Sequence, residues 1–181
     1  MYQQKFLFNK HPEILVVSGD LQQDSVVDGP GLRTVIWTQG CIHNCKDCHN
    51  PKTHAFDGGE YKLINEIIEN VVSIGQNVTF SGGDPFLQPM QCAKIAKHCK
   101  KRGLNVWAYT GFTFEQLIEL NNQDINEFLG CVDVLVDGKF DTTKKSLECK
   151  YRGSSNQRLI NVPETLRTNQ VVLWKDPYEE V

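Results

Sequence analysis

The sequence predicts an α/β protein with a mostly parallel sheet, and three observations point there. Short apolar runs rich in Val, Ile and Trp recur at 34–38, 77–81, 105–110 and 132–137. Segments with helical periodicity lie between them, and glycine-bearing turns stand at the junctions. Strands alternating with helices favour right-handed crossover units, which pair strands in parallel.

The elements follow in order. Residues 1–12 are mixed and polar and read as an N-terminal arm. The stretch Met1–Phe8 has no long apolar core and no small-residue cleavage site, so no secretion signal is expected. Glu13–Ser18 is a short apolar strand or edge segment. Asp20 to Asp28 is polar, and Asp28-Gly-Pro-Gly31 is turn chemistry before the strand at 34–38. From Tyr61 to Ile74 the apolar residues fall at 63, 64, 67, 68, 71, 72 and 74, which is a helix with one broad apolar face, stopped by Gly75. Asn77–Ser81 is a strand ending at Gly82-Gly83, and Gln88–Arg102 is a helix stopped by Gly103. Asn105–Thr110 is the third strand. Thr113 with Gln116 forms a capping box for the next helix. Val132–Asp137 is a strand, 141–158 is polar and loop-like, and Gln170–Trp174 reads as a last strand. A chain of 181 residues suits one domain, with a core at about 13–175.

Composition narrows the function. A formal charge of −3 gives no support for a nucleic-acid partner. No apolar run approaches a membrane span, so no membrane partner is expected either. Seven cysteines, three of them on one loop, fit metal chemistry in a reducing cytoplasm better than a disulfide framework.

That loop, Cys41-Ile-His-Asn-Cys45-Lys-Asp-Cys48, is the chemical centre of the sequence. Iron–sulfur clusters are held by Cys thiolates. A four-iron cubane on three of them leaves one iron open, and open metal positions are where chemistry happens. The same spacing also suits a zinc knot completed by His43, His49 or His54. The cysteine loop, Gly82-Gly83-Asp84, Thr110-Gly111 and Asp137-Gly138 all follow predicted strands, so they share the carboxyl-end rim where parallel α/β folds bind ligands.

The C-x3-C-x2-C spacing resembles the cluster motif of the radical S-adenosylmethionine (SAM) superfamily. The stretch Asp28-Gly-Pro-Gly-Leu-Arg-Thr-Val-Ile-Trp-Thr-Gln-Gly-Cys41 resembles the signature of its glycyl-radical-enzyme activases. Cys48-His-Asn-Pro51, Ser81-Gly-Gly-Asp-Pro85, Tyr109-Thr-Gly111 and Asp137-Gly-Lys139 extend the match, which runs from about Val17 to Ile160. The resemblance implies a partial, open (β/α) barrel of the radical SAM type. It implies a [4Fe-4S] cluster on Cys41, Cys45 and Cys48 whose open iron is chelated by SAM. Reductive cleavage to methionine and a 5′-deoxyadenosyl radical would then remove hydrogen from a glycine of a partner enzyme.

The resemblance also carries SAM-side roles onto Gly82, Gly83 and Asp84, onto Thr110, and onto Asp137 and Lys139. The resemblance also implies that Asp47, Cys48 and His49 lie at the adenine side of the loop, although Asp47 offers no ring to stack and His49 has a plain loop hydrogen bond as its alternative. This chain departs from the pattern at three places. Asp84 replaces a more common Glu, Asp47 replaces an aromatic residue, and Trp37 replaces Phe as an aromatic core residue. The wording is most similar to activases that serve the large subunit, with its glycyl radical domain, of an anaerobic ribonucleoside-triphosphate reductase. Reduced flavodoxin or a similar protein is the implied electron donor. An activase for another glycyl radical enzyme, or a small radical SAM synthase, is the neighbouring alternative; Gly29-Pro-Gly-Leu-Arg33 disfavours the synthase. A zinc module without turnover is the alternative outside this chemistry.

Arg33 is a candidate to answer a carboxylate, or a strand-edge charge. Cys92, Cys99, Cys131 and Cys149 read as buried free thiols rather than a second cluster. Lys94, Lys97, Lys100, Lys101 and Arg102 form a helix face that is either solvated or docks an acidic electron donor.

Overall fold

The computed structural model describes residues 10–177, so most of the expected arm, and the segment read for a secretion signal, lie outside the described residues. Eight strands form one sheet: β1 (Ile14–Val17), β2 (Gln22–Ser25), β3 (Arg33–Thr38), β4 (Glu60–Leu63), β5 (Asn77–Gly82), β6 (Val106–Tyr109), β7 (Val134–Asp137) and β8 (Arg158–Asn161). The helices are α1 (Ile64–Ile74), α2 (Pro89–Lys101), α3 (Phe114–Glu119), α4 (Gln123–Leu129) and α5 (Val162–Thr168). Strand order is β4-β1-β3-β5-β6-β7-β8, with β2 paired to β3.

The sheet is mixed, which corrects the expectation of mostly parallel pairing. The three pairings β3–β5, β5–β6 and β6–β7 are parallel. The four at the flanks, β1–β3, β1–β4, β2–β3 and β7–β8, are antiparallel. The cause is helix supply. A parallel pair needs a crossover of a dozen or more residues. α1, α2 and the α3–α4 pair provide one between each of β3, β5, β6 and β7, and among the described residues no α-helix precedes β3 and only a single 3-10 turn, Thr142–Lys144, separates β7 from β8.

Local differences have local causes. The apolar face expected from Tyr61 begins at Ile64, because Glu60–Leu63 pairs antiparallel with β1 along four residues. Gly75 ends α1 in the left-handed conformation at φ 70°, as the stop signal predicts. The capping box of Thr113 and Gln116 is present at α3. The expected strand at 170–174 is only a single bridge, Leu173 to Ile160; the last strand is β8, within and just past the segment read as loop.

Strand alternation sorts the sheet into two faces. Val106 and Ala108 of β6 join Phe80, Leu135, Ile95 and Phe128 in the core under the helices. Phe80 and Phe128 meet edge to face at 5.1 Å. Trp107 and Tyr109 face the other way, toward Val136, Tyr151 and Trp174. This second face is the one the cleft opens onto.

Arg33 is a structural cation, and its expected role at a carboxylate is corrected. It is fully buried at the start of β3, at the opposite end of the strand from the cysteine loop. Its Nε donates to Thr79 Oγ1 at 2.7 Å, and its terminal nitrogens donate to the Val78 carbonyl at 2.7 Å and to Asn105. The guanidinium also lies 5.3 Å over Trp107, and burial pulls its pKa down to about 10. It fastens the beginnings of β5 and β6, so that their ends reach the rim together.

Candidate functional site

The cysteine loop leaves the end of β3 and is tied back by its own chain. Gly40 N–H donates to Thr53 O at 2.8 Å and Cys41 N–H to His54 O at 3.2 Å. Gln39 Nε2 donates to Ala55 O at 2.7 Å and to Lys52 O at 3.2 Å. The loop is therefore closed at its base.

The glycine-rich turn after β5 is bonded to the same base. Gly83 N–H donates to Thr38 O at 2.8 Å, and Asp84 N–H donates to Gly40 O at 2.9 Å. A Cβ on Gly82 would overlap the Thr38 backbone, and one on Gly83 would overlap the Gly40 carbonyl group. Both glycines are needed for this close approach between chains before any ligand is considered.

Asp84 is completely buried and its carboxylate is fully engaged. Oδ1 accepts from Phe86 N–H at 2.9 Å. Oδ2 meets His43 Nε2 at 2.6 Å, accepts from Thr110 Oγ1 at 2.9 Å and from Gly111 N–H at 3.0 Å. One side chain thus joins the cysteine loop, the turn after β5 and the turn after β6. The His43 ring packs edge-on against Phe112 at 4.6 Å and fills the space a Gly111 Cβ would take. Sequence reasoning weighed His43 only as a zinc ligand. The signal for its role is a histidine between two loop cysteines with an acid waiting at the next strand end.

All three loop thiols are half-buried and line a cleft of about 880 Å³, shared with Gly82, Gly83 and Thr110. Asn50 N–H lies 3.4 Å from Cys48 Sγ, and nearby backbone amides favour the thiolates of Cys41 and Cys45. Three thiols supported by backbone donors fit an iron–sulfur cluster, whose sulfurs take such hydrogen bonds. In this form burial pushes the Cys41 thiol up to about 11 and raises Cys45 as well. Among the described residues no three His, Cys, Asp or Glu side chains form a group suited to one metal ion.

The remaining expected site residues divide. His49 lines the cleft, with its ring 5.0 Å from that of Phe140. Asp47 is exposed and accepts from Thr142 Oγ1 at 3.2 Å, away from the cleft lining. Asp137 is buried and committed. Its Oδ2 accepts from Phe114 N–H at 2.8 Å at the start of α3, and Oδ1 from Arg158 Nε at 3.0 Å. Arg158 in turn holds Glu115, bringing that carboxyl down to about 2. Lys139 is exposed on the outer side of the turn, close enough to Cys45 to favour its thiolate. Trp37 is partly exposed in the cleft rather than in the core, and its Nε1 donates to Gln22 at 3.1 Å.

Two segments flank the cleft mouth. One carries Val26 and Val27, 63% and 69% exposed; the other is the strap 145–153, with Leu147 at 98% exposed. The strap is anchored by Tyr151, which takes φ 58°, accepts at its carbonyl from Tyr109 OH at 2.6 Å, and packs on Trp107 and Trp174. No sequence pattern marked this strap.

Of the other thiols, Cys92 and Cys99 are buried on α2 as expected, but Cys131 and Cys149 are only half-buried, and Cys149 lines the cleft. The basic face of α2 is largely neutralised: Lys94 pairs with Glu13, Lys97 with Glu127 and Lys100 with Asp133, each at 2.5–2.6 Å. Among the described residues no helix is long and apolar enough to cross a membrane.

Residues 27–160 match a family model described as a 4Fe-4S single cluster domain. An anaerobic ribonucleoside-triphosphate reductase-activating protein of Salmonella typhi is 33% identical over 144 residues, covering 73% of this chain and 90% of that protein. The protein of the same name from Enterobacteria phage T4 is 35% identical over 144 residues, covering 74% and 86%. Among solved structures, QueE from Escherichia coli matches with a TM-score of 0.43 and 16% identity, over 62% of this chain and 58% of that one.

Proposed function

The chain belongs to the family of anaerobic ribonucleoside-triphosphate reductase-activating proteins and carries a 4Fe-4S single cluster domain, and from that membership we propose that it installs a glycyl radical on such a reductase. The zinc-module alternative gives way to the family's cluster. The observation that carries the proposal is the convergence of three thiols and the glycine-rich turn on one cleft.

Cys41, Cys45 and Cys48 would hold the cluster, with the backbone N–H groups at their sulfurs tuning it. Bound there, the cluster with SAM supplies a one-electron reductive cleavage that releases methionine and a radical able to take hydrogen from a glycine Cα. Gly82 and Gly83 leave backbone atoms open to the SAM amino and carboxylate groups, and Thr110 borders the same space. His49 flanks the adenine side. Asp137 and Lys139 act on the turn beside Cys45, with Asp137 holding the turn in place through Arg158. Asp47 would fix the loop's outer edge through Thr142. We read the described chain as one domain, its open sheet curved as a partial barrel around this cleft. The donor would be reduced flavodoxin or a similar carrier, in a reducing cytoplasm.

The apolar lips at Val26, Val27 and Leu147 suit an extended segment of the reductase entering over the thiols. Closing over it would exclude water from the reaction. The test is anaerobic incubation of the loaded chain with SAM, a reductant and the reductase large subunit, followed by electron paramagnetic resonance. A glycyl doublet on that subunit is expected; its absence while SAM is still cleaved would assign the chain a different target. A Leu147→Asp variant is expected to lower doublet formation about tenfold, while cleavage of SAM without the reductase stays unchanged.

A further inference from the structure

In this chain Asp84 follows the two glycines of the turn after β5. Here that acid is withdrawn from the cleft, and four hydrogen bonds occupy its two oxygens. We propose that Asp84 and His43 are positioning residues: together they bolt the cysteine loop to the ends of β5 and β6, so that Asp84 acts on the cluster through His43 and not on SAM by contact. The inference rests on the cluster site proposed above.

Four observations carry it. Asp84 has no exposed surface and does not line the cleft, whereas its neighbours Gly82 and Gly83 do. Its shortest contact, 2.6 Å, is to a residue inside the C-x3-C spacing. The His43 side chain is only 6% exposed, so the pair is shielded from water and the bond is worth more than a surface one. Finally, Gly111 has no room for a Cβ because the imidazole sits there, so the turn after β6 is shaped around the ring. His43 lies between Cys41 and Cys45 in the chain, so fastening its side chain fastens the stretch of loop that carries both thiols. The short Asp84 side chain reaches inward to the loop, where hydrogen bonds occupy both of its oxygens.

Three variants separate positioning from contact. His43→Phe keeps the ring's packing against Phe112 and removes only the bond to Asp84. Gly111→Ala keeps both side chains chemically unchanged and displaces the His43 ring. Asp84→Asn removes the charge. The readouts are iron and sulfide per chain after anaerobic reconstitution, the electron paramagnetic resonance line shape of the reduced cluster, and SAM binding by the loaded fraction. Each variant is expected to retain less than half the wild-type iron and to broaden the spectrum. The His43→Phe/Asp84→Asn double variant is expected to be no worse than either single one, as members of one unit are non-additive. His43→Gln, which restores a donor, is expected to recover most of the iron. SAM affinity of the loaded fraction is expected to stay within about threefold.

Two results would overturn the inference. One is a tenfold or greater loss of SAM affinity in Asp84→Asn at full iron content, with His43→Phe unaffected, which would make Asp84 a direct ligand contact. The other is wild-type iron and spectra in all three single variants. If the wild-type chain takes up iron but binds no SAM, the functional proposal fails while the bolt is still judged on iron alone.

Discussion

Replacing Cys41, Cys45 or Cys48 by alanine, one at a time, is expected to abolish SAM cleavage and to strip most of the iron. The loop supplies three thiols to one cleft. Cys149 lies on the strap across the cleft, and Cys92 and Cys99 are locked in the core under α2. Asn50 N–H also donates to Cys48 Sγ, so alanine there leaves that donor without its acceptor. Cys92→Ala is the control. It opens a small cavity in the core and costs roughly 1–2 kcal/mol of stability, yet should keep its iron. Iron and sulfide analysis, with methionine release as the activity measure, decides the matter; turnover in any one loop variant would remove that cysteine from the ligand set.

Gly83→Ala is expected to be the most damaging change outside the cysteines. Its Cβ would meet the Gly40 carbonyl group, which is backbone and cannot swing aside. Overpacking of this kind costs roughly 1–3 kcal/mol. For a chain of 181 residues that lowers the melting temperature by about 2–4 °C per kcal/mol. The functional loss should be larger than the stability loss. Gly83 N–H donates to Thr38 O and Asp84 N–H to Gly40 O at the root of the cysteine loop, so relief of the clash moves the thiols relative to the rim. Misplacing reacting groups by an ångström can cost about a hundredfold in rate. Gly75→Ala is the matched control. It sits at φ 70° with open space around it, so backbone strain of about 1–2 kcal/mol is its whole effect, and turnover should be unchanged. Thermal melts and SAM cleavage measured side by side would show the difference; equal behaviour of the two variants would refute it.

The parallel centre of the fold was legible because β3, β5, β6 and β7 are apolar runs with helices between them. The convergence of the cysteine loop with Gly82-Gly83 and Thr110 on one rim was legible for the same reason, since strand ends in a parallel sheet point one way. The flanking strands were not. Gln22–Ser25 is polar and mostly exposed, and Glu60–Leu63 is only half apolar, so partners rather than composition make them strands. Gln170–Trp174 has strand composition but is held by only one bridge. Arg33 shows the limit of reading a charge from sequence. Its neighbours Val78 and Asn105 are more than forty residues away, and only the fold brings their carbonyls to it. Asp84 shows a different limit. Its place in the motif was legible, whereas the direction its carboxylate takes depends on His43 and Gly111, which meet it only in three dimensions.

The closure of the cysteine loop by Gly40, Cys41 and Gln39 has a consequence for the role of the metal in the fold. In small zinc modules the metal is itself the core, and the chain has no fold without it. Here the sheet, the helices and the root of the loop are held by contacts among side chains and backbone. The metal is therefore not the core of this fold, whose sheet and helices bury their own apolar side chains.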